Sequence, residues 1–580
     1  MKSTLLMLTI LAFVTAALAF SFTDSSKSFP LHSSGPQPSL RVIRCSPDWE
    51  AISQWLEETD IPPIPGAGNY QWEISSNNDS ARFYFNQGIN MYYSFHIIES
   101  MASFKKAARF DPECAIIYWA QALAYGPNIN DMGYAASPDA LDAVRLAQKN
   151  TGSATALEKA LIDVMSIRYT ADSADINRKE LNEKYTAGMA GLYQQFPEQA
   201  DVAALYADAM MLEHPWNLWL PDGSPQPWTP RIREVLEKAL ASTPGNPGLN
   251  HYYIHVMEPS PFAAKALPSA DRLGKLTPGL SHTVHMPSHI YLRTGDYNKG
   301  VLVNEMAVSS YKQSISLFAP VTGADFLYSI HNLHMQVNSA MMAGRQASAT
   351  ASAAELVESI PAGYLEFPGA LGNVIQYIYM TPVLNDIRFG QWNALLKRKA
   401  PPENQTYSRI LWHFGQGMAF VKSRKIKEAR NALSEMHRLA KDTVLELPFS
   451  PFSPAIDGVR IACDLLSGTI LQEEKKPAAA IAAFRSAVKT EMQMVYNEPR
   501  DWLLNPRHYL ADAYLKAGRT DEAIEILEDD LAVNNENGWA LFGYWQALNS
   551  RHETRKAAAM KERFGKAFSQ SDIKLTSTVF

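Results

Sequence analysis

The stretch from Phe85 to Pro112 reads FNQGINMYYSFHIIESMASFKKAARFDP, and four of its residues decide the fold. Gly88, Phe104, Ala107 and Pro112 stand at the glycine, aromatic, alanine and proline positions of a repeat built from two antiparallel helices, about 34 residues long. The glycine lets the helices approach closely, the aromatic and the alanine interdigitate from the second helix, and the proline ends that helix.

The same spacing recurs on either side. Tyr118, Ala122 and Tyr125 follow one period later, and Ala239 with Pro244 repeats the alanine and proline pairing. Further along come Gly468, Ala480, Phe484 and Ala487, then Leu510, Ala511, Tyr514 and Ala523, with Trp539 and Gly543 opening one more helix. A second signature lies inside each repeat, where a glycine closes the first helix in the left-handed conformation and a small residue follows five positions on. Gly295 with Gly300, Gly344 with Ala349 and Gly518 with Ala523 obey it, whereas Gly390 is followed by Leu395 and marks a degenerate repeat. These are tetratricopeptide (TPR) features, and they predict an all-α, TPR-like right-handed α-solenoid of stacked antiparallel helix pairs with a concave face.

Residues 1–19 read as a secretory signal: Lys2 gives the positive start, Leu5 to Leu18 the apolar stretch and Ala17-Leu18-Ala19 the cleavage site. The mature chain is therefore expected to be exported, secreted or periplasmic, with no membrane span. Residues 20–80, rich in Ser, Pro, Gly and Asn, read as an extended leader. An N-terminal TPR-like array is expected over 81–360, an irregular connector over 361–402 and a C-terminal array over 403–580. With 580 residues and 46% hydrophobic content the chain buries a large core without disulfides, and its three cysteines are odd in number and far apart. A net charge of -6 with both signs interspersed argues against nucleic acid and leaves small molecules, peptides or proteins as partners.

The stretch 214–230 breaks the repeat pattern. Its prolines, Pro215, Pro221, Pro225, Pro227 and Pro230, exclude a helix, and its tryptophans, Trp216, Trp219 and Trp228, are too apolar for a solvated loop. A loop packed over the solenoid and a lid over a ligand both fit this composition.

Of the fourteen histidines, seven lie between 251 and 334. His251 and His255, four apart, share one helix face, and Glu258 continues the stripe. In the stretch HTVHMPSH, His282, His285 and His289 stand at i, i+3 and i+7, although Pro287 favours a helix start and an extended Met286 before it. His331 and His334 repeat the i, i+3 spacing, and stacking of consecutive helices can bring the three stretches face to face. Each pair alone is more often a hydrogen-bonded or surface feature than a site. Burying the whole set without partners is costly, and a bound metal or anion resolves that cost. His251, His255, His282, His285 and His289 are therefore the candidate metal ligands, with Glu258 as ligand or catalytic general base. Nitrogen and oxygen donors without thiolate favour zinc, copper or iron, and Met257, Met286 and Met335 beside the histidines keep copper open.

The run from His282 to Tyr297, HTVHMPSHIYLRTGDY, resembles a widespread, little-characterised family of bacterial TPR-repeat proteins. Phe85–Gly88, Tyr118-Trp119, Gly126–Asn130, His251–Glu258, His331–His334 and Arg388–Trp392 carry the resemblance across most of the chain. It implies a multi-TPR fold and no assigned reaction. Where the family commonly reads Phe-Asn-His after the first repeat helix, this chain has Phe95-His96-Ile97, so a histidine contributed there is missing or shifted.

Two functions follow. One is an exported metalloprotein, a metal-dependent hydrolase or oxidase whose open coordination position holds water or oxygen. The other is a non-catalytic scaffold whose concave face grips a peptide or protein, with Tyr92, Tyr93, Tyr252 and Trp219 supplying contact area. No Gly-x-Ser-x-Gly nucleophile elbow is present.

Overall fold

The computed structural model describes residue 47 and residues 49–580, apart from 131–133, 135, 173–174, 319–325 and 450. The expected signal segment, and Cys45, lie outside the described residues. From Trp49 onward the chain is a succession of helices in which neighbours pack as antiparallel pairs. Asp79–Tyr92 pairs with Ile97–Phe110, Thr406–Lys422 with Ile426–Leu439, and Ala455–Glu473 with Pro477–Gln493. The chain is thus an all-α, TPR-type array.

The repeat positions act as their spacing predicts. A Cβ on Gly88 would lie 2.4 Å from the ring of Phe104, and one on Gly468 would lie 2.4 Å from the ring of Phe484. The glycine and the aromatic are thus a lock and its key, repeated across the chain. At the turn inside each repeat Gly295, Gly344, Gly390 and Gly518 adopt positive φ, from 65 to 86°. The amide after each bonds back five residues: Asp296 N–H to Tyr291 O, Arg345 N–H to Ala340 O, Gln391 N–H to Asp386 O and Arg519 N–H to Tyr514 O. This is the Schellman closure, which satisfies carbonyls left open at the helix end.

Two segments expected to be irregular are built into the array. Within the expected leader, Trp49–Glu58 is a helix, and the extended run after it is docked. Ile61 and Trp72 are buried there, and one helix holds the run by its polar side chains. Asn86 accepts from Trp72 N–H, Gln87 accepts from Ile64 N–H, and Asn90 donates to Tyr70 O. The proline-rich composition signals an absence of helix, not an absence of packing. The expected connector, 361–402, carries helices at Gly369–Tyr379, Thr381–Arg388 and Trp392–Lys397, whose buried faces join the C-terminal core.

The stretch 214–230 is irregular until a helix begins at Thr229, with Pro230 in its first turn where a missing N–H costs nothing. It packs down through its indoles: Trp219 donates to Val256 O at 2.6 Å and Trp216 to Ile129 O at 3.0 Å. Among the described residues no helix is long and apolar enough to cross a membrane.

Replacing Gly88 by Ala should destabilise the first repeat by about 1–3 kcal/mol, the usual cost of overpacking a filled core. Gly152→Ala, where nothing lies within 4 Å of the new methyl, should shift stability by less than about 0.5 kcal/mol. Urea unfolding of both variants checks this, and equal midpoints would contradict the locking role of Gly88.

Candidate metal centre

The centre is built on three helical stretches. Asn246 caps the first, accepting from Leu249 N–H at 2.9 Å, and Pro247 opens the helix Pro247–Met257. That start fixes the register in which His251 and His255 point the same way. The second runs through Ser281–His285 and Pro287–Thr294. Met286 between them is helical, at φ -50° and ψ -36°, and not extended as the following proline suggested. Its side chain is buried and its N–H bonds to His282 O, so tertiary packing overrides the local bias. His282, His285 and His289 therefore follow one helical path. The third is a π-helical turn, Phe326–His331, which leads into the helix Asn332–Met342 and projects His331 toward the others. Such wide turns recur at functional sites.

Six imidazoles converge as two triads. In the first, His251 Nε2 lies 3.0 Å from His255 Nε2 and 3.1 Å from His282 Nε2. In the second, His285 Nε2 lies 2.6 Å from His289 Nε2 and 3.1 Å from His331 Nε2. The triads adjoin: ring centroids of His282 and His285 are 5.9 Å apart, and those of His255 and His289 are 6.3 Å apart. All five histidines singled out from the sequence are brought together, and His331 joins them. His334 does not, its ring lying 6.0 Å from that of Tyr377. His96 is in neither triad.

The outer nitrogens reveal where the ring protons sit. His251 Nδ1 is 2.6 Å from Tyr93 O, a carbonyl that only accepts, so Nδ1 carries the hydrogen. His285 Nδ1 is 2.7 Å from Asn304 Oδ1, and Asn304 Nδ2 donates to Gly300 O, which fixes the amide with its oxygen toward the ring. His255 Nδ1 meets Glu258 Oε1 at 2.8 Å. His289 Nδ1 lies 2.6 Å from Glu258 Oε2 and 2.7 Å from Glu498 Oε2, charge contacts that are not aligned as hydrogen bonds. With hydrogens on Nδ1, the Nε2 atoms of His251, His255 and His285 face inward as bare lone pairs, whereas His289, held charged by its carboxyl neighbours, keeps a hydrogen on Nε2 that points at His285 Nε2.

Two bare lone pairs 3 Å apart repel, and in a dry interior nothing screens them. A cation between them reverses the sign. Three nitrogens around one ion at bonds of about 2.0–2.1 Å stand about 3.3–3.6 Å from one another, so the contacts of 3.0–3.1 Å need only a small outward shift to admit an ion, and the 2.6 Å between His285 and His289 a larger one. The orphaned Nδ1 of His282 is the one outer nitrogen of the first triad without a partner.

Electrostatics agree with neutral ligands. Burial pushes His251 down to about 3 and His331 down to about 4, and holds His255, His282 and His285 well below the ordinary imidazole value. His289 differs. Burial alone would lower it, but the carboxylates of Glu498 and Glu258 raise it to about 10. Burial likewise works against charge on Glu498, yet His289 brings that carboxyl down to about 2, while burial and Glu498 raise Glu258.

Sequence reasoning placed Glu258 as a ligand or general base. The structure puts its carboxylate behind the rings, on the Nδ1 side of His255 and His289, and away from the Nε2 atoms. It orients two imidazoles there, and with His289 and Glu498 it forms a third group whose donor atoms lie within 4.8 Å of one another. Glu498, which sequence reasoning missed, arrives from a segment more than two hundred residues on.

Aromatic rings close the first triad. Phe95 lies 4.5 Å from His251, 5.4 Å from His282 and 6.0 Å from His255, centroid to centroid. It occupies the left-handed repeat turn that glycine fills at 295, 344, 390 and 518 and that Arg424, Lys475 and His552 fill in other repeats, at φ 56°, with His96 N–H bonded back to Met91 O. Trp216, also at positive φ, stands edge-on 5.4 Å from His255 and 5.9 Å from Phe452. Bulky residues held left-handed cost about 1–3 kcal/mol each, and such strain clusters at functional sites. A phenylalanine in the glycine slot of a repeat turn was the sequence signal for this.

No protein-family model and no curated protein matches the chain. Among solved structures, it overlaps the human IFIT1 dimer with m7Gppp-AAAA at 12% identity, over 85% of this chain and 91% of that one, with a TM-score of 0.31. Yeast Tom70 gives 12% identity, 84% and 89% coverage and 0.32; the APC/C hetero-tetramer Cut9–Hcn1 gives 15%, 86% and 80%, and 0.27. At these TM-scores the overlap carries nothing about the centre, and the repeat architecture rests on the chain's own helix pairs.

Replacing Glu258 by Ala should lower the stability of the metal-free chain by about 1–3 kcal/mol, because it leaves the Nδ1 groups of His255 and His289 short of a buried partner while the His289 charge still faces Glu498. Chemical unfolding of chelator-treated protein checks this, and a loss below about 1 kcal/mol would show that Glu258 does not anchor the rings.

Proposed function

We propose that the chain is a helical-repeat metalloprotein that holds a pair of ions, one on His251, His255 and His282 and one on His285, His289 and His331. The observation that carries this reading is the inward direction of the Nε2 lone pairs of His251, His255 and His285, imposed by Tyr93 O, Glu258 and Asn304 on the Nδ1 side. Metal-ligating histidines are generally fixed in this way, their second nitrogen donating to a carbonyl or carboxylate. Three histidines leave each ion an open position, the arrangement of a reactive and not a purely structural site. Oxidation and hydrolysis both start from such a position, through bound oxygen or bound water. The N-terminal segment reads as an export signal, so this activity is proposed for an exported protein.

A second reading keeps the scaffold and drops the metal: a repeat protein that binds a peptide or protein. Leu302 and Met306, one turn apart on the helix Tyr297–Leu317, are both about half exposed and favour a docking face. The tyrosines first considered for such contacts, Tyr92, Tyr93 and Tyr252, are buried and offer no area to a partner.

Chelator-stripped protein titrated with Cu(I) or Zn(II) should bind two ions per chain. The pair His251→Ala with His255→Ala, and separately His285→Ala with His331→Ala, should each retain one ion at most, with unchanged helical circular dichroism. His334→Ala should retain two. Wild-type protein that binds no ion, or binds one that survives both double substitutions, would overturn the paired centre.

A further inference from the structure

The centre's donor set discriminates among metals. Its two carboxylates touch Nδ1 atoms and stand outside the ring of inward donors, so each ion sees three imidazoles. Iron sites of this kind commonly include a ligating carboxylate, and zinc completes a tetrahedron with a fourth ligand. Copper forms the tightest divalent complexes with nitrogen donors, and Cu(I) is satisfied by three. Charge points the same way. Two Cu(I) ions bring two positive charges to a site that holds two carboxyl groups, Glu258 and Glu498. Two divalent ions bring two more positive charges into the same dry site, where each unmatched charge is costly.

The unmatched charge of a divalent pair has a natural counterion. The rings that face one another across the triads, at 5.9 and 6.3 Å, are no farther apart than the widest pair within a triad, His255 and His282 at 6.4 Å, so one small molecule is able to span both ions.

Resting on the paired-ion reading, we propose that the two triads hold two copper ions that bind one dioxygen between them. Each Cu(I) gives one electron, the O=O double bond becomes the single bond of a bridging peroxide, and both ions become Cu(II). No proton is taken up. The two positive charges gained by the pair on oxidation are balanced by the doubly negative peroxide, so the net charge of the centre is the same before and after. Loss of dioxygen reverses both transfers.

The test uses full-length protein loaded with two Cu(I) per chain without oxygen. Admitting oxygen should consume about one O2 per two coppers and raise an intense peroxide-to-copper charge-transfer band that fades under argon. The oxygenated protein should be silent in electron paramagnetic resonance, because the two Cu(II) spins couple through the bridge. The pair His285→Ala with His331→Ala should lose the band, and His334→Ala should keep it. Two bound coppers with no band, or the resonance of isolated Cu(II), would overturn the dioxygen inference and leave the paired centre standing. Failure to bind copper or zinc at all would overturn both.

Discussion

Everything about the centre follows from one constraint: a buried imidazole must satisfy two nitrogens that point in opposite directions. The outward nitrogens of His251, His255, His285 and His289 face fixed acceptors, a backbone carbonyl at Tyr93, an amide oxygen at Asn304 and carboxyl oxygens at Glu258 and Glu498, while that of His282 faces none. Once those acceptors claim the hydrogens, the inward nitrogens of His251, His255 and His285 have nothing left to offer but lone pairs. The helices, caps and turns around them serve to hold that opposition in place.

The scaffold supplies rigidity by local means. Glycine and aromatic residues lock each helix pair, and the left-handed turn fixes how one helix hands over to the next. Because the same device repeats, the chain can spend its irregular positions on the centre. Phe95 takes a glycine slot and lays its ring over three histidines, and Trp216 adopts a comparable backbone strain beside His255.

The repeat positions and the histidine strings were legible in the sequence because both depend on local spacing. Helical periods place His251 with His255, and His285 with His289, without knowledge of anything distant. The docking of residues 60–72 was not legible, since its evidence lies in side chains of another helix, Asn86, Gln87 and Asn90. Glu498 was hidden for the same reason: a lone glutamate before a proline has no local pattern that ties it to a histidine far upstream. His331 was visible as part of a pair, yet nothing in i, i+3 spacing says which of two histidines turns inward, and a π-turn decided it.

The reach of Glu498 to His289 has a further meaning for the array. A solenoid normally touches only its neighbours, so its repeats can fray one after another from either end. Here Arg293 and Tyr297 also bond to backbone carbonyls at Val533 and Asn535, and Asn535 returns a bond to Arg293 O. Repeats separated by more than two hundred residues are thereby clasped across the centre. A spring with a clasp no longer stretches coil by coil; its middle and its later turns must let go together.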